Sequence, residues 1–170
     1  KVCQAIAFAH SRGVIHRDLK PANIMVGSFG EVQVMDWGLA KVLSGRERPE
    51  SDPDETSAGT AILSLRESDG AFTQAGSVLG TPAFMPPEIV MGDKRIDGRA
   101  DLYSLACSAY WALTAHTIFD ADTPAQMLLQ HVQAQPVPPS TRSELAIPKQ
   151  LDAILMMCLE KDPAKRPASA

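Results

Sequence analysis

Residues 99–115, RADLYSLACSAYWALTA, constrain this chain more than any other stretch. At helical spacing Leu102, Leu105, Ala106, Ala109, Tyr110 and Leu113 leave little polar face. A helix that is apolar all round has to be enclosed by protein, so the remaining segments must wrap around this one. They supply further helices. Thr123 and Pro124 form an N-cap and first-turn pair for a helix to about Ala134, and Pro148 opens another through Leu151, Ile154, Leu155 and Cys158. Pro87–Met91 is a short helical candidate, and Val2, Ile6 and Ala9 mark the end of a helix stopped by Ser11-Arg12-Gly13. Between them lie short extended runs at Val14-Ile15, Ile24-Met25-Val26 and Val32 to Met35, separated by polar or glycine-rich turns such as Gly27-Ser28-Phe29-Gly30. The expected fold is mainly α with short β hairpins.

Composition narrows the class. Of 170 residues, 45% are hydrophobic and 21% charged, which is globular usage and excludes a chain disordered throughout, collagen-like or fibrous. The net charge is -4 and no basic patch is visible, which argues against a phosphate-backbone binder. Cys3, Cys107 and Cys158 are odd in number, far apart and free of CxxC spacing, so neither a disulfide framework nor a zinc cluster is expected and the compartment reads as reducing. No apolar run approaches a membrane span, and the first residues lack a signal peptide's apolar centre. The expected localisation is therefore cytoplasmic for these residues, with any membrane anchor lying outside them. Three arginines against seven acids in residues 44–77 carry the entire net charge, and this Ser-, Gly- and Pro-containing stretch reads as a mobile acidic insert.

Chemistry concentrates in His16-Arg17-Asp18-Leu19-Lys20-Pro21-Ala22-Asn23, on a short turn between two small strands. Asp18 is an acceptor able to orient and deprotonate a hydroxyl, Lys20 a cation able to neutralise a transferring group, and Asn23 an oxygen ligand suited to Mg²⁺. Asp36, thirteen residues beyond Asn23 and followed by Trp37-Gly38, offers a charged ligand for the same metal. Each residue alone reads as an ordinary turn or surface residue; the combination points to chemistry.

The segment 16–23 resembles the catalytic loop H-R-D-L-x-x-x-N of eukaryotic-like protein kinases, and Asp36-Trp37-Gly38 resembles their D-F-G motif. Gly80-Thr81-Pro82 through Pro86-Pro87-Glu88 is similar to the substrate-docking end of a kinase activation segment, Asp101 to Leu105 to the start of the central kinase helix, and Asp162-Pro163 through Arg166-Pro167 to the late segment whose Arg pairs with the motif Glu. The resemblance runs in order along the chain. Lys20 follows the serine/threonine pattern, and Gly76 through Pro82 resembles the bacterial branch.

That resemblance implies a partial kinase domain, the C-terminal lobe, with catalytic loop 16–23, activation segment 36–88 and helical subdomain 97–170. The cofactors it implies are ATP and Mg²⁺; Asp18 and Lys20 are catalytic, Lys20 faces the γ-phosphate, and Asn23 and Asp36 hold the metal. By the same resemblance Thr81 hydrogen-bonds Asp18 and Lys20 at the docking site. His16 packs beneath Trp37, which replaces the usual Phe, next to Gly38. Arg17 points to a pocket for a phosphorylated activation loop, with Thr73 or Ser77 as the phosphosite and a second kinase copy as the donor enzyme. Glu88 pairs with Arg166. Asp101 either anchors the catalytic loop or is a plain acid at a helix N-terminus. The implied partner is a protein with a Ser or Thr acceptor; no nucleic acid and no membrane segment is expected. No G-x-G-x-x-G occurs, so the N-terminal lobe is expected upstream of Lys1 and the isolated chain is expected to be inactive. Two rival readings are a pseudokinase or interaction module, and a small-molecule phosphotransferase.

Overall fold

The structure, a computed structural model, describes residues 1–43 and 81–170. The acidic stretch 44–77 and the phosphosite candidates Thr73 and Ser77 lie outside the described residues. Five helices occur among the described residues in the order α1 (Val2–Ser11), α2 (Pro87–Val90), α3 (Arg99–Thr114), α4 (Pro124–Gln133) and α5 (Lys149–Cys158). Four short strands, β1 (Val14–Ile15), β2 (Ile24–Val26), β3 (Val32–Val34) and β4 (Lys41–Val42), lie between α1 and α2. The expected mainly helical fold with short strands is the one observed.

Helix α3 is the centre. Tyr103, Ala106, Cys107 and Tyr110 join Ile118, Phe119, Leu155 and Leu159 in the main core, so α3 and α5 pack against each other. Fully burying a large apolar side chain contributes about 1.5–3 kcal/mol, and Tyr103 and Tyr110 are both fully buried. The core face differs in detail from the sequence reading: Ala109 and Leu113 lie at its margin, while Ser104, Ser108 and Thr114 are buried within α3. Those hydroxyls are tolerated because each donates to a carbonyl: Ser104 to Phe84, Ser108 to Ser104 and Thr114 to Tyr110.

The other helix limits come from local chemistry. Thr123 caps α4 by accepting from the Gln126 amide at 3.2 Å, with Pro124 in the first turn. Gly13, at φ 73°, turns the chain out of α1 into β1. β2 and β3 form an antiparallel hairpin with Ile24 opposite Val34, whereas β1 pairs antiparallel with the distant β4, Val14 opposite Val42. β4 is not expected from sequence, since two residues carry no periodicity and its partner is remote.

Candidate active site

The register of the β2–β3 hairpin builds the site. Because Ile24 faces Val34, the preceding Asn23 faces Met35, and the Met35 amide donates to the Asn23 carbonyl at 2.8 Å. Asp36 thus begins its turn where the hairpin leaves Asn23, although thirteen residues separate them in sequence. Asp36 adopts φ 58°, ψ 65°. Such a left-handed conformation is uncommon for a residue other than glycine and recurs at functional sites. A Cβ placed on Gly38 would lie 3.2 Å from Asp36 Oδ1, so glycine there leaves the carboxylate room.

Asp18, Lys20 and Asn23 converge. The Lys20 ammonium donates to Asp18 Oδ2 at 2.8 Å, and Asn23 Nδ2 donates to the Asp18 carbonyl at 2.8 Å and to Oδ2 at 3.3 Å. Asp18 Oδ1 has no hydrogen-bond partner among the described residues. Asn23 is buried, and with its amide nitrogen committed to Asp18 its oxygen is the group left for another partner.

The loop is held from beneath. Asp101, buried in the first turn of α3, accepts the His16 amide on Oδ2 and the Arg17 amide on Oδ1, both at 2.8 Å. Two main-chain donors on one carboxylate offset the cost of Arg17, whose φ of 67° is worth roughly 1–2 kcal/mol of strain. His10, from the end of α1, adds a third bond to Asp101 at 2.8 Å. Sequence reasoning does not find His10, and nothing in its neighbourhood signals a contact ninety-one residues away. His16 is fully buried; its Nε2 faces the Met35 carbonyl at 2.9 Å and its Nδ1 accepts the Asp18 amide at 3.3 Å. Its ring lies 4.6 Å from that of Trp37, whose indole N–H donates to the Val34 carbonyl. Trp37 is only partly covered, with 38% exposed. The Arg17 guanidinium donates through Nε to the Leu39 carbonyl at 2.6 Å, linking the two loops a second time.

Among the described residues no hydrogen bond joins Thr81 to Asp18 or Lys20; those two bond each other, and the Thr81 carbonyl instead accepts the Phe84 amide in a 3-10 turn. Glu88 and Arg166 meet directly, Nη1 to Oε1 at 2.7 Å and Nη2 to Oε2 at 2.8 Å.

The donor set fits a hard divalent cation. Among the described residues no three His, Cys, Asp or Glu side chains gather to hold a metal by themselves. Asn23 and Asp36 offer oxygen alone, which suits Mg²⁺, an ion that takes one or two protein side chains and completes its shell with phosphate and water oxygens.

A buried carboxylate pins a loop that carries an Asp–Lys–Asn cluster, joined to a second acid through a hairpin, and the sequence profile of the protein kinase domain matches residues 1–170. The chain belongs to the protein kinase family. It is 37% identical over 164 residues to the serine/threonine-protein kinase PknB of Mycobacterium tuberculosis, a match covering 96% of this chain and 22% of that protein. The PknB of Mycobacterium leprae is 39% identical over the same length and share. The probable serine/threonine-protein kinase SCO3848 of Streptomyces coelicolor is 34% identical over 169 residues, 99% of this chain and 22% of that protein. The chain thus spans about a fifth of the length of these relatives. No helix among the described residues is long and apolar enough to cross a membrane.

Proposed function

We propose that the chain is the C-terminal, catalytic-loop lobe of a serine/threonine protein kinase, and that it directs phosphoryl transfer from Mg-ATP to a Ser or Thr hydroxyl of a protein. The observation that carries this reading is the division of labour on Asp18: Oδ2 is occupied by Lys20 and Asn23, and Oδ1 is left for a substrate. Oδ1 accepts the hydroxyl proton while the hydroxyl oxygen bonds to phosphorus and ADP leaves. Lys20, tethered to the same carboxylate, places its positive charge where negative charge gathers on the transferring group. Asn23 Oδ1 and the Asp36 carboxylate would hold Mg²⁺, which would supply positive charge against the phosphates. Asp101 positions the loop through the His16 and Arg17 amides, and His16 serves as a structural bridge to the metal-binding turn rather than as a base. Thr81 and the residues after it form the acceptor-docking segment.

The 170 residues contain no G-x-G-x-x-G to cover the phosphates, so adenine- and phosphate-covering groups come from elsewhere in the protein and these residues alone are inactive. The test is phosphate transfer from labelled ATP by a form of the kinase that includes those groups, offered a Ser/Thr peptide, choline or an aminoglycoside. Transfer to the peptide alone, reduced about 10²–10⁴-fold in Asp18→Asn, is expected. Transfer to the small molecules, or equal activity in the variant, refutes the assignment.

A further inference from the structure

The acceptor-docking segment has prolines at Pro82, Pro86 and Pro87, and the last two remove backbone donors at adjacent positions. A carbonyl in a turn is served by the amide three or four residues later, and for Ala83 those positions are Pro86 and Pro87, which have no N–H. Its neighbours are provided for. Phe84 donates to the Thr81 carbonyl at 3.1 Å, Met85 to that of Pro82 at 3.3 Å, and Ser104 Oγ from α3 to that of Phe84 at 2.8 Å. Ala83 has no such donor among the described residues.

Helix α4, which packs against the Pro82–Phe84 turn, carries a buried ring nitrogen without a partner. His131 on α4 is fully buried, its Nδ1 2.8 Å from the Tyr103 hydroxyl and its Nε2 without a partner. The ring is held edge-on between Phe119, at 5.2 Å, and Tyr103, at 5.7 Å, and Lys161 donates to the His131 carbonyl at 2.8 Å. Burial first, then the Lys161 charge, pushes its pKa down to about 4, while the Ala83 backbone is near enough to oppose that shift. The imidazole is therefore neutral. Of the two tautomers, the one in which the Tyr103 hydroxyl donates to Nδ1 places the single ring proton on Nε2, on a helix that packs against the Pro82–Phe84 turn.

We propose that His131 is a positioning residue for peptide-acceptor binding, its Nε2–H engaging the Ala83 carbonyl that Pro86 and Pro87 deprive of local donors. This rests on the kinase reading above. The imidazole substitutes from a neighbouring helix for a backbone amide, and the Tyr103 hydroxyl selects the tautomer that does so. His131 thereby fixes the height of residues 81–85 without touching ATP or the transferring group.

Two measurements decide it, both in a catalytically competent form of the kinase. The first is the ¹⁵N tautomer of His131. A proton on Nε2, with its resonance moving on addition of a Ser/Thr peptide, is expected; a proton on Nδ1 overturns the proposal. The second compares His131→Asn, whose amide reaches the place of Nδ1, with His131→Gln, whose amide reaches the place of Nε2. Asn should raise KM for the peptide about three- to tenfold with kcat and the KM for ATP unchanged, and Gln should restore most of the loss. A joint change of kcat and both KM values in the two variants, or a Gln variant no better than Asn, overturns it. Should the Asn variant not fold, the tautomer of the wild type still decides between the two outcomes. A wild type that phosphorylates no peptide refutes the kinase reading and the docking role together, while the tautomer independently reports on the bond.

Discussion

Replacing Arg166 by Ala tests how the lower half of the domain is closed. All five guanidinium N–H groups are used: Nη1 and Nη2 bind the two Glu88 oxygens, Nη1 also binds the Arg99 carbonyl, Nη2 the Lys161 carbonyl and Nε the Glu160 carbonyl. Its guanidinium carbon sits 4.8 Å over the Tyr103 ring, and the two charged side chains are 0% and 5% exposed. Truncation leaves the Glu88 carboxylate buried with no counter-charge, a loss of about 3–5 kcal/mol. For a domain of this size each kcal/mol lowers Tm by about 2–4 °C, so the midpoint should fall by about 6–20 °C when unfolding is followed by circular dichroism. The double variant Glu88→Gln, Arg166→Met separates buried charge from lost packing. Removing both charges should recover part of the loss, because the large penalty belongs to the unpaired ion. A Tm lowered by less than about 2 °C in Arg166→Ala, or a double variant less stable than the single one, refutes the reasoning.

Two further outcomes are expected from the same geometry. In Gly98→Ala the new Cβ would lie 2.7 Å from His10 Nδ1, so the ring must move and release Asp101; denaturant unfolding should report a loss of about 1–3 kcal/mol, relieved in Gly98→Ala, His10→Ala, and an unchanged midpoint would contradict the packing. His131 gives a pH dependence. Its folded pKa of about 4 lies below the ordinary 6.5, so between those values the unfolded chain binds the proton first. The stabilisation is complete above pH 6.5 and lost as pH falls toward 4, on the order of 3 kcal/mol. The stability difference between wild type and His131→Gln should shrink by that amount over this window, and parallel pH profiles would show that the imidazole is not buried neutral.

The division between what the sequence reveals and what it hides tracks the range of the interactions. Helix α3 is legible because burial of most of its residues leaves an apolar signature within sixteen residues, although Trp111 near its end is exposed, and α4 because Thr123 and Pro124 act within one turn. The nearness of Asn23 and Asp36 is encoded one level up, in a tight hairpin whose register needs only the two strands and their turn. Beyond that distance local pattern fails. Asp101 offers a sequence reader two equal explanations, since an acid in a first helical turn needs no partner; in the structure its carboxylate is taken by two amides eighty-five and eighty-four residues away and by a histidine from a third element. Family resemblance implies a bond from Thr81 to Asp18 and Lys20; among the described residues those two bond each other through Oδ2 and none joins them to Thr81. His131 escapes a sequence reading because a histidine on an amphipathic helix has no distinguishing spacing. What makes it informative is the absence of two N–H groups at Pro86 and Pro87, on a segment that α4 only meets once the chain has folded. A missing donor is visible in sequence and its replacement is not, so the productive question for a Pro-Pro pair beside a docking loop is which distant side chain supplies the hydrogen bond.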